Sequence, residues 1–289
     1  MLGGVSSMRS INKGQLFMKK LVCVMIFLGC FSVAGAAEDS KQDSDRWNIV
    51  LAPYLWGISL DGKTAFGGAP PVDIDASFGD IVSNLNIGGS LHTEFRKGKW
   101  NFVIDPTYLD IEMDTPTATL PFPPPDGAPT PIGGTVRAKI WFVEGWTSYL
   151  VAPGWEVLGG VRWQSQEIKG ELRNVDTGTP IISGQPVDED WADFFAGARY
   201  STALGQKWTL NLRGDYAVAG DSESGSWNGL VIFNRRFGET MALNLGYRYF
   251  SNEYKKGNAG EQGSYLWDIK MSGPMVGYTW QFGAARWPR

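Results

Sequence analysis

The segment WTLNLRGDYAV, Trp208–Val218, decides the fold of this chain. Apolar residues stand at every second position and alternate with polar ones such as Arg213. A period of two places the two sets on opposite faces of a β-sheet. The segment Thr240–Phe250 repeats the pattern, with Arg248 among its polar positions. Both segments therefore predict β-strands, although alternation by itself also suits a soluble β-sandwich.

The connections between such segments alternate strictly between short and long. Four tight turns are predicted, at Lys97-Gly98, at Pro153-Gly154, around Gly205 and around Gly238. Five longer links lie between them, roughly Ser59–Leu85, Thr115–Gly134, Gly170–Asp188, Gly220–Gly225 and Asn252–Gly263. This asymmetry is typical of outer-membrane barrels, in which one end carries short turns and the other carries long loops.

The sequence therefore predicts an all-β fold: a closed, antiparallel, up-and-down transmembrane β-barrel of about ten strands. The barrel occupies residues 46–282, and residues 283–289 form a C-terminal tail. The predicted strands are about 47–57, 86–96, 100–112, 135–151, 156–168, 190–203, 208–219, 226–237, 240–251 and 265–282. Counts of eight and twelve remain open. Pro106 and Pro274 cannot donate to a ladder and therefore suggest bulges or strand starts.

Residues 1–36 have the composition of a secretory signal peptide. They contain no acid, and their bases precede the apolar run Leu21–Val33 and the small residues Ala34-Gly35-Ala36. The bases are Arg9, Lys13, Lys19 and Lys20. This order predicts cleavage after Ala36, with Met18 as the true start and residues 37–45 as a periplasmic leader. Lipoprotein processing at Cys30 is the alternative.

The composition disfavours several classes of protein. Charged residues make up 19% of the chain and the mean hydropathy is −0.18, which argues against a bundle of transmembrane helices. Both cysteines, Cys23 and Cys30, lie within the predicted signal, so the mature chain gains no disulfide. Removing the four bases of that segment from 26 leaves 22 against 30 acids, or about −8. This balance disfavours nucleic acid as a partner.

Aromatic residues are concentrated beside the predicted turns, as in the interfacial girdle of membrane proteins. They are Trp100, Tyr149, Trp155, Tyr200, Trp208, Phe237, Trp280 and Phe282. The last three alternating aromatics, Tyr278, Trp280 and Phe282, resemble the C-terminal β-signal that the barrel-assembly machinery reads in outer-membrane proteins. Seven residues follow Phe282 here, whereas that signal usually ends at the phenylalanine.

Residues 47–282 resemble a group of poorly characterised, porin-like Gram-negative outer-membrane β-barrel proteins. The shared features are the opening Pro53-Tyr54-Leu55-Trp56, recurring Gly-x-Arg-aromatic elements and the pair Gly273-Pro274. The resemblance implies the barrel fold and a bacterial outer-membrane location, with outer-membrane lipid and lipopolysaccharide as its surroundings. It implies no particular activity, cofactor or oligomeric state.

If the apolar faces meet lipid, the opposite faces line the lumen. The predicted lumen residues are Glu94, Arg96, Asp105, Arg137, Lys139, Arg162, Arg199, Arg213, Asp215, Arg236 and Arg248. An arginine on the lipid face near the midplane costs about 2–4 kcal/mol, which favours this register. The pattern predicts either an Arg-lined narrow pore for small solutes or an interior that paired charges fill.

His92 is the only histidine, and Ser90 shares its strand face. A two-residue turn near Gly98 would set Asp105 opposite Ser90 or His92, and these three side chains are those of acyl hydrolysis. A hydrogen-bonded lumen histidine is the simpler interpretation, because His92 lies close to a predicted turn and far from lipid. No zinc-binding cluster is evident in the sequence. The acids Asp73 and Asp75, and Asp188-Glu189-Asp190, suit solvated loops better than a cation site.

We therefore expect a non-enzymatic outer-membrane barrel that acts as a narrow pore or as an envelope structural protein. A lipid-modifying hydrolase built on His92 is the first alternative. The second is an adhesion or binding module formed by the long links Thr115–Gly134 and Gly170–Asp188.

Overall fold

A computed structural model describes residues 46–66, 71–119, 131–183, 187–221, 225–258, 261 and 263–283. The predicted signal peptide, 1–36, with Met18 and Cys30, and the predicted leader, 37–45, lie outside the described residues. So does the predicted tail beyond Gly283. In the described part of the chain no helix is both long and apolar enough to cross a membrane.

The described residues form thirteen strands and one short helix. The first strands are β1 (Asn48–Trp56), β2 (Ser59–Phe66), β3 (Val72–Ala76), β4 (Leu85–Lys97), β5 (Trp100–Thr119), β6 (Pro131–Ala152) and β7 (Trp155–Asn174). The remaining ones are β8 (Pro180–Ser183), β9 (Val187–Ala203), β10 (Trp208–Gly220), β11 (Trp227–Phe237), β12 (Met241–Lys256) and β13 (Tyr265–Phe282). The helix α1, Phe78–Ser83, lies between β3 and β4.

Ten of these strands close into an antiparallel barrel in the order β1-β4-β5-β6-β7-β9-β10-β11-β12-β13. The ring closes because β13 also pairs with β1, from Ile49 opposite Phe282 to Trp56 opposite Met275. The predicted closed ten-stranded barrel is thus confirmed. Each predicted strand corresponds to one of the ten, and the ring runs from Asn48 at the start of β1 to Phe282 at the end of β13.

The four predicted tight turns all join neighbouring barrel strands at one end, which we call the short-turn end. The opposite end carries the longer links and is called the long-loop end. The turn glycines adopt a positive φ, for example +76° at Gly154 and +88° at Gly205. This left-handed backbone favours glycine because it has no Cβ.

The prediction of bulges or strand starts at the two prolines was wrong. Pro106 lies opposite Val143 and Pro274 opposite Tyr247, within ladders whose register does not shift at either position. Strands β1 and β2 pair with β13 in the same register. The pairing has gaps at Ala52 and Pro53 and at Gly57 and Ile58, where the Gly57 N–H donates to the Pro274 carbonyl at 2.7 Å.

The long link after β1 has structure that the sequence did not predict in detail. Strand β2 continues the wall along β13 and forms a hairpin with β3. Helix α1 then begins with a capping box, in which Ser77 and Asp80 each accept a hydrogen bond from the other's backbone N–H. The Asp80 carboxylate also accepts a 2.6 Å hydrogen bond from the Ser77 hydroxyl, and this bond, together with the one from the Ser77 backbone N–H, lowers the pKa of the Asp80 carboxyl. Ile81 of α1 is buried in the same apolar cluster as Phe142 and Phe250 of the barrel interior.

Candidate functional site: the barrel interior

The interior of the long-loop half is filled by an apolar cluster. Its members include Trp56, Ile81, Phe142, Trp191 and Phe250, all almost completely buried. The Trp191 and Tyr254 rings stack at 4.5 Å, and the Phe142 and Phe250 rings meet edge to face at 4.9 Å. This half of the barrel therefore holds a packed core, with Ile81 of the link helix contributing to it.

A cluster of buried charges lies directly below the apolar cluster, toward the short-turn end. We call it the central charge cluster and define it as Glu144, Asp215, Arg162, Arg213 and Arg248. Glu144 accepts hydrogen bonds from all three arginines, at distances of 2.6 Å from Arg162 Nη2, 3.1 Å from Arg213 Nη1 and 2.9 Å from Arg248 Nη2.

Asp215 and aromatic rings complete this cluster. Asp215 accepts a 2.5 Å hydrogen bond from Arg162 and one of 2.9 Å from Asn228, and its Oδ2 lies 2.8 Å from Arg213 Nε. The Arg213 guanidinium also lies 4.0 Å from the centre of the Trp146 ring. Glu144 and Arg162 are wholly inaccessible to solvent. Buried charges are tolerated when they are paired and hydrogen-bonded in this way.

Contacts between diametrically opposite strands cross the lumen at three levels. Strand β12 lies five strands from β6 in either direction around the ring, and β13 lies five from β7. Arg248 of β12 nevertheless bonds Glu144 of β6, and the β12 and β6 phenylalanines pack together one level higher. Above them Tyr265 of β13 donates a 2.5 Å hydrogen bond to Gln166 of β7. Side chains therefore bridge the full width of the lumen.

A second ion-pair group lies nearer the short-turn end. Glu94, which is 2% exposed, accepts 2.7 Å hydrogen bonds from Arg96 and from Arg199, although Arg199 stands on β9, four strands away. Arg199 also donates to Glu156 at 2.7 Å, and Glu156 accepts from Asn101. These bonds again connect distant parts of the wall.

His92 and Asp105 meet as expected, while Ser90 takes another partner. His92 Nδ1 lies 3.0 Å from one Asp105 oxygen, and the other Asp105 oxygen accepts from the Tyr54 hydroxyl at 2.8 Å. The Ser90 hydroxyl lies 2.7 Å from the Thr107 hydroxyl. The His92 ring lies 5.7 Å from that of Trp146, inside the barrel. His92 and Asp105 thus form a histidine–carboxylate pair. Ser90 pairs with Thr107, whose hydroxyl lies 3.5 Å from the Tyr54 hydroxyl that also bonds Asp105.

An amide ladder lines the opposite wall of the short-turn half. It consists of Ser201, Asn211, Asn234, Asn244 and Thr279, one from each of the five strands β9 to β13. Ser201 donates to Asn211 at 2.6 Å, Asn211 to Asn234, Asn234 to Asn244 at 2.6 Å, and Asn244 to Thr279 at 2.8 Å. The sequence analysis missed this ladder. The signal available in the sequence was that Asn211, Asn234 and Asn244 occupy inward-facing positions of their strands.

The structure corrects two of the predicted lumen residues. Arg137 and Lys139 belong to the same set of alternate positions in β6 as the outward-facing Trp141. Glu144 belongs to the other set, which faces inward. Arg137 makes two hydrogen bonds to Asp110, and Lys139 lies 3.4 Å from Glu167, on the outer wall at the long-loop end. Charges are tolerated there because the strands extend beyond the apolar part of the outer surface.

The other predicted lumen residues all lie on inward faces. Glu94, Asp105, Arg162, Arg199, Arg213, Asp215 and Arg248 are buried. Arg96 and Arg236 are partly exposed near the short-turn end, where Arg236 donates to the Gln206 carbonyl at 2.5 Å. Glu144, Glu156 and the amide ladder are the interior polar residues that the sequence analysis did not name.

Two of the predicted acidic positions make ordinary ion pairs. Asp73 lies 3.7 Å from Lys63, and Glu189 lies 2.8 Å from Lys256, so these acids already have cationic neighbours. Within the described ranges, no group of three or more His, Cys, Asp and Glu residues is arranged to hold a metal ion.

The outer surface is the apolar counterpart of this interior. Four strands carry outward aromatic pairs eight residues apart: Trp100 with Tyr108, Tyr149 with Trp141, Trp155 with Trp163, and Trp208 with Tyr216. The outward residues between each pair are uncharged. Eight residues span about 26 Å along a strand at about 3.3 Å each. At a tilt of about 40°, this is about 20 Å along the barrel axis.

The molecule is thus a closed β-barrel with an apolar outer surface and an interior that holds buried ion pairs beside an apolar cluster. Among solved structures it is similar to the outer-membrane protease OmpT from Escherichia coli, with a TM-score of 0.49 and 8% identity over 81% of this chain and 97% of that chain. It is also similar to the translocator domain of the autotransporter NalP from Neisseria meningitidis, with a TM-score of 0.40 and 14% identity over 93% and 96%.

A third similar structure is the toluene transporter TodX from P. putida, with a TM-score of 0.34 and 9% identity over 82% of this chain and 90% of that chain. No protein-family model and no curated protein sequence matches the chain.

Proposed function

We propose that this chain is an integral outer-membrane β-barrel whose lumen is sealed against ion flow, and that it serves as an envelope structural protein. The contacts that cross the lumen between opposite strands carry the proposal. Ions and small solutes need a continuous aqueous path, and the apolar cluster and the central charge cluster interrupt it at consecutive levels. The buried arginines are therefore packing elements, and an anion-selective pore is disfavoured.

The outer surface supports the membrane location. Large apolar side chains such as Leu212, Phe233 and Leu245 are about 40% exposed, while the charged residues at the same heights face inward. This distribution is the inverse of that in a water-soluble protein. The spacing of the aromatic pairs agrees with the apolar band of outer-membrane barrels, about 25 Å tall, once the breadth of the rings is added.

The orientation follows from the two ends of the barrel. Short turns in outer-membrane barrels face the periplasm, and longer loops face the outside. Tyr278, Trp280 and Phe282 lie on the outward face of β13, next to β1, at the short-turn end. This is the place where the barrel-assembly machinery would engage the C-terminal strand. Outer-membrane lipid and lipopolysaccharide are the partners that the apolar surface requires.

Planar-bilayer recording tests the sealed lumen. The purified wild-type barrel should insert and give no conductance steps. The triple variant Arg248→Ala, Phe250→Ala, Tyr265→Ala removes one partner from each level of the cross-lumen contacts and should produce steps. Regular steps from the wild-type protein would contradict the proposal directly, whatever the variant does.

A control variant and a solubility test accompany the recording. Replacing the outward residues Leu245, Tyr247 and Tyr249 with alanine makes three comparable truncations on the same strand and should leave the barrel silent. The membrane location predicts that the protein partitions with the outer membrane and needs detergent for extraction. A compact monomer that stays soluble without detergent would refute the location.

A projecting sheet favours a second candidate function, surface binding. Strands β5, β6 and β7 each span at least 20 residues and continue past the outer aromatic residues Tyr108, Trp141 and Trp163. Strand β8 adds to the edge of this sheet through β7. Shortening the link Gly170–Asp188 should then reduce surface binding while the barrel stays folded. Unchanged binding with a folded barrel would remove this candidate.

A further inference from the structure

An apolar groove of about 480 Å³ lies on the outer surface toward the short-turn end. It is lined by Leu204, Trp208, Phe233 and Leu245, all of which are partly exposed. The Leu204 N–H donates to the Trp208 carbonyl at 2.8 Å, while Phe233 and Leu245 lie opposite each other on β11 and β12. The groove therefore extends from the turn after β9 to β12. Its volume lies within the range of about 300–1,000 Å³ that is typical of ligand pockets.

An exposed arginine borders this groove. Arg235 of β11 stands directly opposite Trp208 on one side and Leu243 on the other. Its guanidinium carbon lies 5.9 Å from the centre of the Trp208 ring and 5.2 Å from that of the Phe237 ring. These distances are those of cation–π contacts, which hold the charge against the ring faces and leave the N–H donors of the guanidinium for other partners.

Arg235 differs in this respect from the arginines of the interior. Arg162 and Arg248 are each paired with a carboxylate. Among the residues that the structure describes, the contacts of the Arg235 guanidinium are the two rings, and no carboxylate lies within ion-pair distance of it. A charge on the lipid-facing side of a barrel is costly unless it reaches a polar partner. The partner of Arg235 therefore comes from outside the chain.

The short-turn edge of the outer surface is basic. At the level of Trp208, the outward positions of the ten described barrel strands include the cations Lys97 and Arg235 and no acid. The turn before Trp208 adds Lys207, and the next turn adds the acid Glu239. At the long-loop edge, by contrast, outward bases pair with outward acids. The charge of the short-turn edge is therefore complementary to an anionic headgroup.

We infer that the groove and Arg235 together bind one anionic glycerophospholipid of the periplasmic leaflet, with an acyl chain in the groove and the phosphate on Arg235. The inference rests on the membrane location proposed above, in which the short-turn end faces the periplasm. Arg235 stands at the level of the lower aromatic residues, where lipid headgroups meet the hydrocarbon. The guanidinium suits phosphate because two of its N–H groups can donate in parallel to two phosphate oxygens.

Native mass spectrometry of the full mature barrel, released from detergent micelles, counts the lipids that stay bound. The probe is dioleoylphosphatidylglycerol, and we expect one retained lipid per barrel. Dioleoylglycerol has the same acyl chains without the phosphate and should bind about tenfold more weakly, as expected for the loss of a charge-assisted hydrogen bond. Glycerol phosphate has the phosphate without the chains and should not be retained. A lipid-free dimer would assign the groove to a second copy of the chain and would overturn the inference.

Two matched pairs of variants locate the site. Arg235→Gln removes the exposed charge and should weaken phosphatidylglycerol binding about tenfold. Arg236→Gln makes the same change at the next residue, which faces inward, and should leave binding unchanged. Leu204→Trp fills the groove from the turn and should also weaken binding, whereas Leu91→Trp on the outward face of β4 should not. The second pair decides the question if Arg235→Gln fails to fold.

Three results would overturn the inference: no lipid retained by the wild type, equal retention of dioleoylglycerol, or unchanged binding in Arg235→Gln and Leu204→Trp. The detergent test described above separates this failure from a failure of the proposed location. A wild-type barrel that needs detergent for extraction but retains no lipid would overturn the lipid site alone. A barrel that is soluble without detergent would overturn the membrane location and the lipid site together.

Discussion

Replacing Glu144 with glutamine should be among the most destabilising single changes in this barrel. The glutamine keeps the shape but removes the charge that three buried arginines share. Arg162 and Arg213 retain Asp215, whereas the carboxylate that Arg248 contacts is Glu144. Breaking a buried ion pair by removing one partner costs about 3–5 kcal/mol, because it leaves an uncompensated charge. We therefore expect Glu144→Gln to lower the free energy of unfolding by about 3–5 kcal/mol.

Urea unfolding of the barrel in lipid vesicles, followed by tryptophan fluorescence, measures this loss. The double variant Glu144→Gln, Arg248→Met removes both partners and should be more stable than Glu144→Gln alone. The outer-face variant Glu167→Gln breaks exposed pairs with Lys139 and Lys169 and should change stability by less than about 1 kcal/mol. A loss below about 1 kcal/mol for Glu144→Gln, equal to that control, would refute the argument that Glu144 compensates the buried charge of Arg248.

Three further predictions test the outer face, a turn and the amide ladder. Leu212→Arg places a charge midway along the outward face of β10 and should lower the free energy of unfolding in vesicles by about 2–4 kcal/mol. A change near zero would contradict contact with lipid. Gly154→Ala sets a Cβ 2.4 Å from the Ser201 carbonyl oxygen and should destabilise the barrel more than Gly205→Ala, which meets nothing within 4 Å, in the same urea unfolding. Asn234→Leu breaks the ladder on both sides and should lower the free energy of unfolding by about 1–3 kcal/mol. Equal urea midpoints for this variant and the wild type would contradict a stabilising role of the ladder.

The alternation of residues predicted the wall of the barrel well. In β10 and β12 the apolar and polar sets are unambiguous, so their arginines could be placed inside before any contact was known. The same argument failed in β6, where Arg137 and Lys139 were assigned inward. That assignment points Glu144 outward, in the middle of the strand. An outward-facing carboxylate at the middle of the strand costs more free energy than two outward-facing bases near its end. Comparing these two costs would have assigned Glu144 inward and Arg137 and Lys139 outward.

The closure of the lumen could not be predicted from the sequence. Which side chains meet across a barrel depends on the strand number, the tilt and the stagger together, and an error of one strand changes every opposite pair. The structure of the link after β1 could not be predicted either, because its strand β2 pairs with β13, far away in sequence. Ile81 could be identified as apolar, but its burial beside Phe142 depends on where α1 lies over the barrel.

The balance between a filled and an open interior is decided by the reach of the inward side chains at each level. Eight strands leave a lumen that side chains just fill, and ten strands leave a wider one. Only long side chains from opposite walls close that width, which explains why arginine, phenylalanine and tyrosine occupy the three bridging levels. Where the neighbouring strands β1, β12 and β13 present Ala52, Gly246 and Gly277, these residues contribute little side-chain volume and a cavity remains. The same rule that closes the long-loop half therefore leaves a cavity in the short-turn half.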